Sequence, residues 1–313
     1  STLPHVLSFL NHDYKSIFKV LFSELELESL LSPFKSAFEQ KAFDQLEGQV
    51  GTLKINLSRL ATKETFWVFS GDDFNLKISD PNDPSILVIA NDPDTQSINS
   101  ACYSVVLNRL IRLINKKGNL PTSMIVDEVP TLYLHKIENL IATARSNQVA
   151  VLLGLQELPQ FRQQYGKETA ETICAVAANV ISGSARNKET LDWLEKLFGK
   201  VRQLRSGLSI DRTRTSVSMN EYMDNLIPAS KIAALKAGEL VAQIGREANQ
   251  KSSISTYNCK VDINPTSILK EEKQYKHLPK YYDFGTRKEK EEILRNNMFT
   301  INQQVAELVA SFC

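Results

Sequence analysis

The spacing of the apolar residues changes near Phe66. Before that point, from about Leu10 to Ala61, apolar residues such as Ile17 and Leu21 recur every three or four positions. This spacing lines one face of an α-helix. We therefore expect several helices and no strand in this part of the chain. Pro33 is expected at a helix start or in a turn, where its missing N–H costs little.

After Phe66 the apolar residues form short runs rich in aromatic and branched side chains. FWVF at 66–69 and FNLKI at 74–78 flank the turn residues 71–73, and this arrangement predicts a β-hairpin. SILVIAN at 85–91 is almost continuously apolar, which is typical of a strand buried on both faces.

The chain then alternates apolar strands with helices. Strands are predicted at 123–129, 149–156 and 178–184, and helices at about 94–117, 134–147, 168–177 and 188–198. Strands joined by helices of this length are parallel and are covered on both faces. The predicted fold class is α/β, with a mostly parallel sheet and flanking helices preceded by a helical region.

The C-terminal third is more polar. The segment 199–220 is rich in Arg, Ser and Thr and predicts an exposed β-ribbon or a mobile loop. Two further strands are predicted at 238–245 and 252–263. From Lys270 the chain is charged and helical, which favours a solvated or packing appendage over a separate domain.

Composition narrows the functional classes. The 313 residues are 42% apolar, enough for a full core, and 37 Lys and Arg against 36 Asp and Glu leave a net charge of +1. Without an overall basic field, any contact with DNA has to be local. The four cysteines form no CxxC pair, which argues against zinc or a disulfide framework and favours a cytoplasmic protein. We expect no membrane span in this chain, and its first residue, Ser1, suggests that an upstream part is missing.

The strongest chemical signal is the pair Asp127-Glu128 at the end of a predicted buried strand. Ligands bind at the carboxyl ends of strands in open α/β sheets. In P-loop ATPases two acids in this position form the Walker B element, where the first holds Mg²⁺ and the second polarises the attacking water. An acidic pair that ends a strand in a solvent-exposed turn is an equally good interpretation of the dipeptide alone.

Three more polar residues follow strands or helices nearby. Gln156 ends the next strand, where its amide could sense a γ-phosphate or orient water. Arg145 ends the helix between the two strands and could act as an arginine finger in a neighbouring subunit, or could be a cation that is favourable at a helix C-terminus. Arg186 is a weaker candidate of the same kind, and a strand-end Gln is often a plain edge residue.

A phosphate-binding loop is absent from the sequence. Neither Gly166-Lys167-Glu168 nor Gly199-Lys200-Val201 belongs to a GxxxxGK[ST] motif. That motif supplies the backbone donors and the Lys for the phosphates of ATP. We therefore expect this chain alone to bind ATP poorly and to be inactive as an ATPase.

Several spaced motifs together resemble a known family. Residues 123–199 are similar to the core of the TraG/TraD-type coupling proteins of conjugative type IV secretion, which are RecA-like P-loop ATPases. That family carries a DE-x-P motif, here residues 127–130, and an arginine at the end of the next helix, here Arg145. A strand ending in Gln follows, here Gln156, and then a Gln-x-x-x-x-Tyr-Gly stretch, here residues 160–166.

The resemblance covers about residues 60–265 and implies a domain organisation. The family has a membrane anchor, a RecA-like nucleotide domain, and an all-α domain inserted between Walker A and Walker B. Residues 1–62 would then be part of the all-α domain, 63–265 the Walker B half of the nucleotide domain, and 266–313 a charged helical tail. The Walker A element would lie upstream of this chain.

The resemblance also implies residue roles and cofactors. Asp127 would hold Mg²⁺ on the nucleotide, Glu128 would be the catalytic acid, and Gln156 would sense the nucleotide. Arg145 would be the finger that acts in trans. Apart from the resemblance, the position of Arg186 after the predicted strand at 178–184 makes it a weaker candidate for contact with ATP.

The implied function is that of a motor that uses ATP to link relaxase-bound single-stranded DNA to a type IV secretion channel. The parent protein would be anchored to the inner membrane, on its cytoplasmic face, and hexameric, whereas this chain would be monomeric. The ribbon at 199–215 could grip DNA phosphates, or could be a solvated hairpin. Two other functions remain open: a non-catalytic docking module for a relaxase or accessory protein, and another RecA-like DNA translocase.

Overall fold

The structure is a computed structural model that describes residues 2–211, 214–245, 255–262, 264–277 and 282–312. The side chains of residues 49, 93, 97, 204–211 and 214–220 are also left undescribed. Parts of three predicted elements therefore lie outside the described residues: 212–213 of the ribbon, 252–254 and 263 of the last strand, and 278–281 and 313 of the charged tail.

The described residues form helices and strands. The helices are α1 Leu3–Leu10, α2 Tyr14–Ser23, α3 Glu28–Glu39, α4 Phe43–Ser58, α5 Lys63–Ser70, α6 Gln96–Ile114, α7 Ile137–Ala144, α8 Leu158–Tyr165, α9 Lys167–Val176, α10 Lys188–Phe198, α11 Ala229–Ala233, α12 Pro265–Glu272 and α13 Arg287–Phe312. The strands are β1 Thr122–Val126, β2 Val149–Leu153, β3 Val180–Ser182, β4 Lys200–Asp211, β5 Arg214–Asn225, β6 Glu239–Gln243 and β7 Thr256–Lys260. Across these described segments, no helix combines the length and the apolarity needed to cross a bilayer.

The chain divides into two compact units. Unit 1 comprises Ser1–Asn75, Asn91–Cys102 and His277–Cys313, and unit 2 comprises Leu76–Ala90 and Tyr103–Lys276. The charged C-terminal segment therefore packs with the N-terminal helices. Compact units need not coincide with functional domains, so the domain limits expected from the sequence stay a prediction.

Unit 1 is helical, as the apolar spacing predicts. Helix α13 buries one stripe at Leu294, Ile301, Val305 and Val309 and packs against α1, α2 and α5. The stripe recurs at intervals of about one or two helical turns, so a charged helix can have one apolar face. The C-terminal segment is thus a packing element of this unit.

The expected position of Pro33 is wrong, because this residue lies inside α3. A proline inside a helix removes the hydrogen bond that its N–H would donate to the carbonyl four residues earlier. Here that carbonyl belongs to Ser29, and the Ser32 hydroxyl donates to it at 3.0 Å. A neighbouring side chain therefore satisfies the acceptor that the proline leaves open.

The predicted hairpin at 66–78 is also wrong. Residues 66–69 belong to α5, and no strand is assigned at 74–78. Thr62 caps the helix by accepting a hydrogen bond from the Thr65 N–H at 3.1 Å. Phe66 is fully buried in the core of unit 1. Capping and burial of one face override the β-propensity of the FWVF run.

Unit 2 is the α/β part of the chain. β1 and β2 are parallel, with Thr122 opposite Val149 and Val126 opposite Leu153. β6 pairs antiparallel with both β3 and β7. The strands predicted at 123–129, 149–156, 178–184, 238–245 and 252–263 each overlap an observed strand. β4 and β5 form a two-stranded antiparallel ribbon, which confirms the ribbon predicted in the polar segment.

The β1–β2 pair is covered on one face, although the sequence predicts cover on both. Met124, Val126 and Val149 are buried in a cluster with residues of α6 to α9. On the other face Ile125 is 71% exposed and Leu152 is 58% exposed. The helices of unit 2 that enter this cluster cover the first face only.

The segment 85–91 is not assigned as a strand, so this prediction is wrong. Its side chains do alternate: Leu87 and Ile89 pack against the same cluster, whereas Ile86 and Val88 are 92% and 82% exposed. The apolar run therefore has an extended pattern without a strand assignment. Burial of one side is enough to hold it against the core of unit 2.

Candidate functional site

The carboxyl ends of β1 and β2 lie side by side and remain paired beyond the strands. The Gly154 N–H donates to the Val126 carbonyl at 2.7 Å, and the Val129 N–H donates to the Gly154 carbonyl at 2.8 Å. These two bonds continue the ladder around the acidic pair. As a result, Gln156 Nε2 donates to Glu128 Oε2 at 3.1 Å.

Gly154 makes this close approach possible. A Cβ atom at this position would lie 2.1 Å from the Asp127 carbonyl oxygen, which is far inside van der Waals contact. This role of Gly154 was not predicted from the sequence. The available signal was an isolated glycine inside an apolar strand run, which often marks a close approach of another backbone.

A cavity of about 440 Å³ opens beside Glu128, and Asp127 is not among the residues that line it. Its lining residues are Glu128, Pro130, Thr131, Gln156, Gln160, Gln163 and Gln164. Three of the amides lie on α8 at positions i, i+3 and i+4, which share one face of a helix. Helix α8 was not predicted from the sequence, although Leu158, Phe161 and Tyr165 form its buried face.

The loop that follows Glu128 is held by hydrogen bonds. The Thr131 hydroxyl donates to the Glu128 carbonyl at 2.7 Å. The Tyr165 hydroxyl accepts from the Leu134 N–H at 3.1 Å and donates to the Leu132 carbonyl at 2.9 Å. Burial raises the pKa of Tyr165 to about 12. The tyrosine of the Gln-x-x-x-x-Tyr-Gly stretch thus fixes the backbone of the acidic loop.

Asp127 directly follows β1 and is exposed. In the part of the chain that the structure describes, no three His, Cys, Asp or Glu residues cluster closely enough to hold a metal ion. Mg²⁺ usually takes one or two carboxylates and completes its shell with water and substrate phosphates. The donor set therefore fits Mg²⁺ that arrives with a nucleotide better than a metal site made of protein ligands alone.

Arg145 lies at the other end of the β1–β2 pair, where the strands begin. It is exposed and begins the 3₁₀ turn Arg145–Asn147, just before β2. The length of β2 separates it from Gln156, roughly 16 Å at about 3.3 Å per residue. The structure thus does not bring Arg145 to the acidic pair of its own chain.

Arg186 follows β3 and lies near the Gln156 edge. Its backbone N–H donates to Glu157 Oε1 at 3.0 Å, and the N–H of Asn187 donates to the same oxygen at 3.1 Å. The side chain of Arg186 is exposed. The structure therefore brings Glu128 and Gln156 into contact and links the Arg186 loop to the residue after Gln156.

Solved structures define the class of fold. The plasmid coupling protein TrwB in complex with the GTP analogue GDPNP matches with a TM-score of 0.54 and 15% identity, covering 84% of this chain and 68% of that one. TrwB in complex with ADP and Mg²⁺ matches with a TM-score of 0.51 and 15% identity, covering 84% and 67%. The unbound form of TrwBdeltaN70, described as a bacterial conjugative coupling protein, gives 0.51 and 17%, covering 61% and 44%. The chain therefore has the α/β fold of a coupling protein.

Sequence comparisons identify the more specific resemblance. Residues 121–237 match the family model described as the TraM recognition site of TraD and TraG. The conjugal transfer protein TraG of Rhizobium radiobacter is 29% identical over 173 residues, which are 51% of this chain and 26% of that protein. The matches confirm the resemblance to TraG/TraD-type coupling proteins. The matched part spans about a quarter of this TraG.

Proposed function

We propose that this chain is the cytoplasmic motor portion of a conjugative coupling ATPase, acting within a longer protein. The observation that carries the proposal is the contact between Gln156 and Glu128 at 3.1 Å, beside an open cavity. A carboxylate and an amide at adjacent ends of parallel strands suit the binding of Mg-nucleotide in an α/β sheet. The likeness to TrwB, whose structures include nucleotide complexes, supports the same function.

The residue roles follow from the chemistry of each side chain. Asp127, which is exposed beyond β1, would supply one carboxylate oxygen to Mg²⁺. Glu128 would accept a proton from the attacking water, and the Gln156 amide, which donates to Glu128, would orient both. A γ-phosphate held by Mg²⁺ and a phosphate-binding loop is the group that such a pair would act upon. The longer protein has to supply that loop.

The exposed position of Arg145 favours a role in a neighbouring subunit. Because the length of β2 separates it from the site of its own chain, its proposed target is the nucleotide of another copy. An arginine finger stabilises the charge that develops during phosphoryl transfer. This role requires a ring, and we propose a hexamer. Arg186 lies nearer the Gln156 edge and is proposed to contact ATP of its own chain.

The proposed partners are those of a conjugative motor. They are relaxase-bound single-stranded DNA, the relaxase, the channel of the type IV secretion system, and an accessory protein of the TraM kind, which the family description names for TraD and TraG. The longer protein would be anchored to the inner membrane with this portion on the cytoplasmic side. The β4–β5 ribbon is the candidate for contact with DNA phosphates, although its described residues do not include the side chains at 204–220.

One observation favours a second function. The sequence has no GxxxxGK[ST] motif, and a longer protein that also lacked it would be unable to hold the phosphates of ATP. In that case the chain would act as a docking module for a relaxase or an accessory protein. Capture of a purified relaxase together with the absence of ATPase activity in the longer protein would favour this second function.

The test of the motor function is DNA-stimulated ATP turnover by the longer protein. We expect Glu128→Gln to lower kcat by about 100-fold or more, since general-base catalysis typically contributes 10²–10⁴-fold. Glu168→Gln is the matched control, because Glu168 is exposed on α9 and outside the cavity lining. Full turnover by Glu128→Gln would exclude the proposed role of this residue.

A further inference from the structure

We propose that Glu157 is a positioning residue that holds the loop at 183–187, and with it Arg186, beside Gln156. Neither the motifs nor the resemblance assigned a role to Glu157. The inference rests on the proposed function in one respect, namely that Arg186 contacts the nucleotide. The placement of the loop can be tested independently of that function.

The contact is made by one carboxylate oxygen and two consecutive backbone donors. Glu157 Oε1 accepts the N–H of Arg186 at 3.0 Å and the N–H of Asn187 at 3.1 Å. Hydrogen bonds to an ionised acceptor are about twice as strong as neutral ones. Burial raises the pKa of Glu157, but the nearby Thr190 hydroxyl and the two N–H groups outweigh this effect, so that the pKa lies below its usual value. The carboxylate is therefore charged at neutral pH.

A second contact holds the same two segments together. The Leu158 N–H donates to the Thr190 hydroxyl oxygen at 3.1 Å, and both residues are buried. Leu158 begins α8, and Thr190 lies in the first turn of α10. The segment after β2 and the segment after β3 are thus joined at two adjacent positions. The backbone at Glu157 has little freedom to move away from the Arg186 loop.

Glu157 does more than complete the capping of α10. The first turn of that helix already has a cap, because Asn187 Oδ1 accepts the Glu189 N–H at 2.8 Å. The donors that Glu157 binds belong to the residue before the cap and to the cap itself. Its carboxylate therefore fixes the approach to the helix, which is where the exposed Arg186 side chain begins.

The contact joins the backbone next to two proposed site residues, Gln156 and Arg186. Gln156 precedes Glu157, and Arg186 carries one of the two N–H groups. The Glu157 carboxylate thus holds the backbone of Arg186 near Gln156, and both residues are proposed to face one nucleotide. Loss of the carboxylate would leave both side chains present but would release the loop that carries Arg186.

Hydrogen exchange on this chain tests the placement of the loop. We expect Glu157→Ala to raise the exchange rates of the Arg186 and Asn187 amides by at least about 10-fold, because each loses a charge-assisted hydrogen bond. Glu157→Gln keeps one carbonyl oxygen as acceptor and should restore most of the protection. Glu168→Ala, which removes an exposed carboxylate at the start of α9, should leave both amides unchanged. Equal exchange in the wild-type chain and in Glu157→Ala would overturn the inference.

A double-mutant cycle in the longer protein tests the action through Arg186. Glu157→Ala and Arg186→Ala should lower kcat by a similar factor, about 10-fold, and the double variant should be no slower than Arg186→Ala alone. Glu157→Gln should recover most of the rate. If the double variant lost kcat by the product of the two single factors, Glu157 would not act through Arg186. Absence of turnover in the wild-type longer protein would overturn the proposed function instead, and hydrogen exchange would still decide the placement.

Discussion

Polar side chains lie at both ends of the β1–β2 pair. We call these ends the amino edge, where the two strands begin, and the carboxyl edge, where they stop. The contacts of the polar side chains differ between the two. At the amino edge Asn147 Nδ2 donates to Asn115 Oδ1 at 2.6 Å, and Asn115 Nδ2 donates to the Thr143 hydroxyl at 2.8 Å. These groups bind one another. At the carboxyl edge Gln156 and Glu128 share one hydrogen bond and face a cavity of about 440 Å³. The carboxyl edge therefore has room for a ligand, whereas the amino edge is a structural network.

The difference shows that a polar residue after a strand or helix is not by itself a site. Arg145 and Gln156 look alike in the sequence, because each follows an apolar segment next to the same strand. The direction of β2 places them at opposite edges of the sheet. Four predictions test this comparison, from the largest expected effect to the smallest.

Gly154→Ala should have the largest effect, because the added Cβ would disturb the close backbone contact between Gly154 and Asp127 at the carboxyl edge. Its Cβ would lie 2.1 Å from the Asp127 carbonyl oxygen, so one strand end has to move. We expect a loss of about 3 kcal/mol in the free energy of unfolding, the size typical of a severe steric change. Urea unfolding measures it. Gly183→Ala is the control, since nothing lies within 4 Å of a Cβ there, and equal stability of the two variants would refute the proposed close approach.

Tyr165→Phe should come next. It leaves the Leu134 N–H and the Leu132 carbonyl without their partner, and an unsatisfied buried polar group costs about 1–3 kcal/mol. Thermal unfolding measures the loss. Tyr275→Phe provides a comparison at an exposed position, where Tyr275 is 71% accessible, and should change stability very little. A Tyr165→Phe variant as stable as the wild type would mean that the hydroxyl does not hold the acidic loop.

The raised pKa of Tyr165 predicts how the free energy of unfolding depends on pH in the alkaline range. Its folded pKa is raised from 10.0 to about 12, so the folded state holds the proton more tightly than the unfolded state. This contribution to stability is fully present below pH 10 and is lost as the pH rises through about 12. Unfolding measured in urea across this range should show a steeper decline for the wild type than for Tyr165→Phe. Parallel declines would contradict the assignment to Tyr165.

Asn147→Ala should have the smallest effect and should be confined to the amino edge. It removes one side-chain hydrogen bond to Asn115, which is worth about 1 kcal/mol. We expect a small loss of stability and no change in nucleotide binding by the longer protein. Calorimetry with Mg-ATP checks the second expectation. A large loss of affinity would indicate that the nucleotide binds at the amino edge and would contradict the proposed site.

The sequence predicted the parts of this site that depend on local patterns. Apolar runs that end in Asp127-Glu128 and in Gln156 indicated two buried strands with polar ends, and parallel pairing then places those ends together. The amides of α8 escaped detection because polar residues obscure a short amphipathic pattern. The contact of Glu157 with Arg186 joins residues 29 positions apart, and no periodicity encodes such a pair.

The errors also have local causes. FWVF at 66–69 has the composition of a strand, but Thr62 caps a helix there and Phe66 is needed in the core of unit 1. The run at 85–91 has the alternation of a strand but is not assigned as one. Tertiary packing decided the first case. In the second, the run is held by one apolar side, and its apolar composition did not predict whether the backbone would join the sheet.

The central claim is that Glu128 and Gln156, at the carboxyl edge, face the metal of a Mg-nucleotide. Paramagnetic Mn²⁺ in place of Mg²⁺ tests it most directly, in the longer protein bound to an ATP analogue. The paramagnetic relaxation enhancement falls with the sixth power of distance, so it should be much larger at the side-chain amide of Gln156 than at that of Asn147, at the other edge of the same strand pair. An enhancement that is equal at the two amides, or larger at Asn147, would contradict the account.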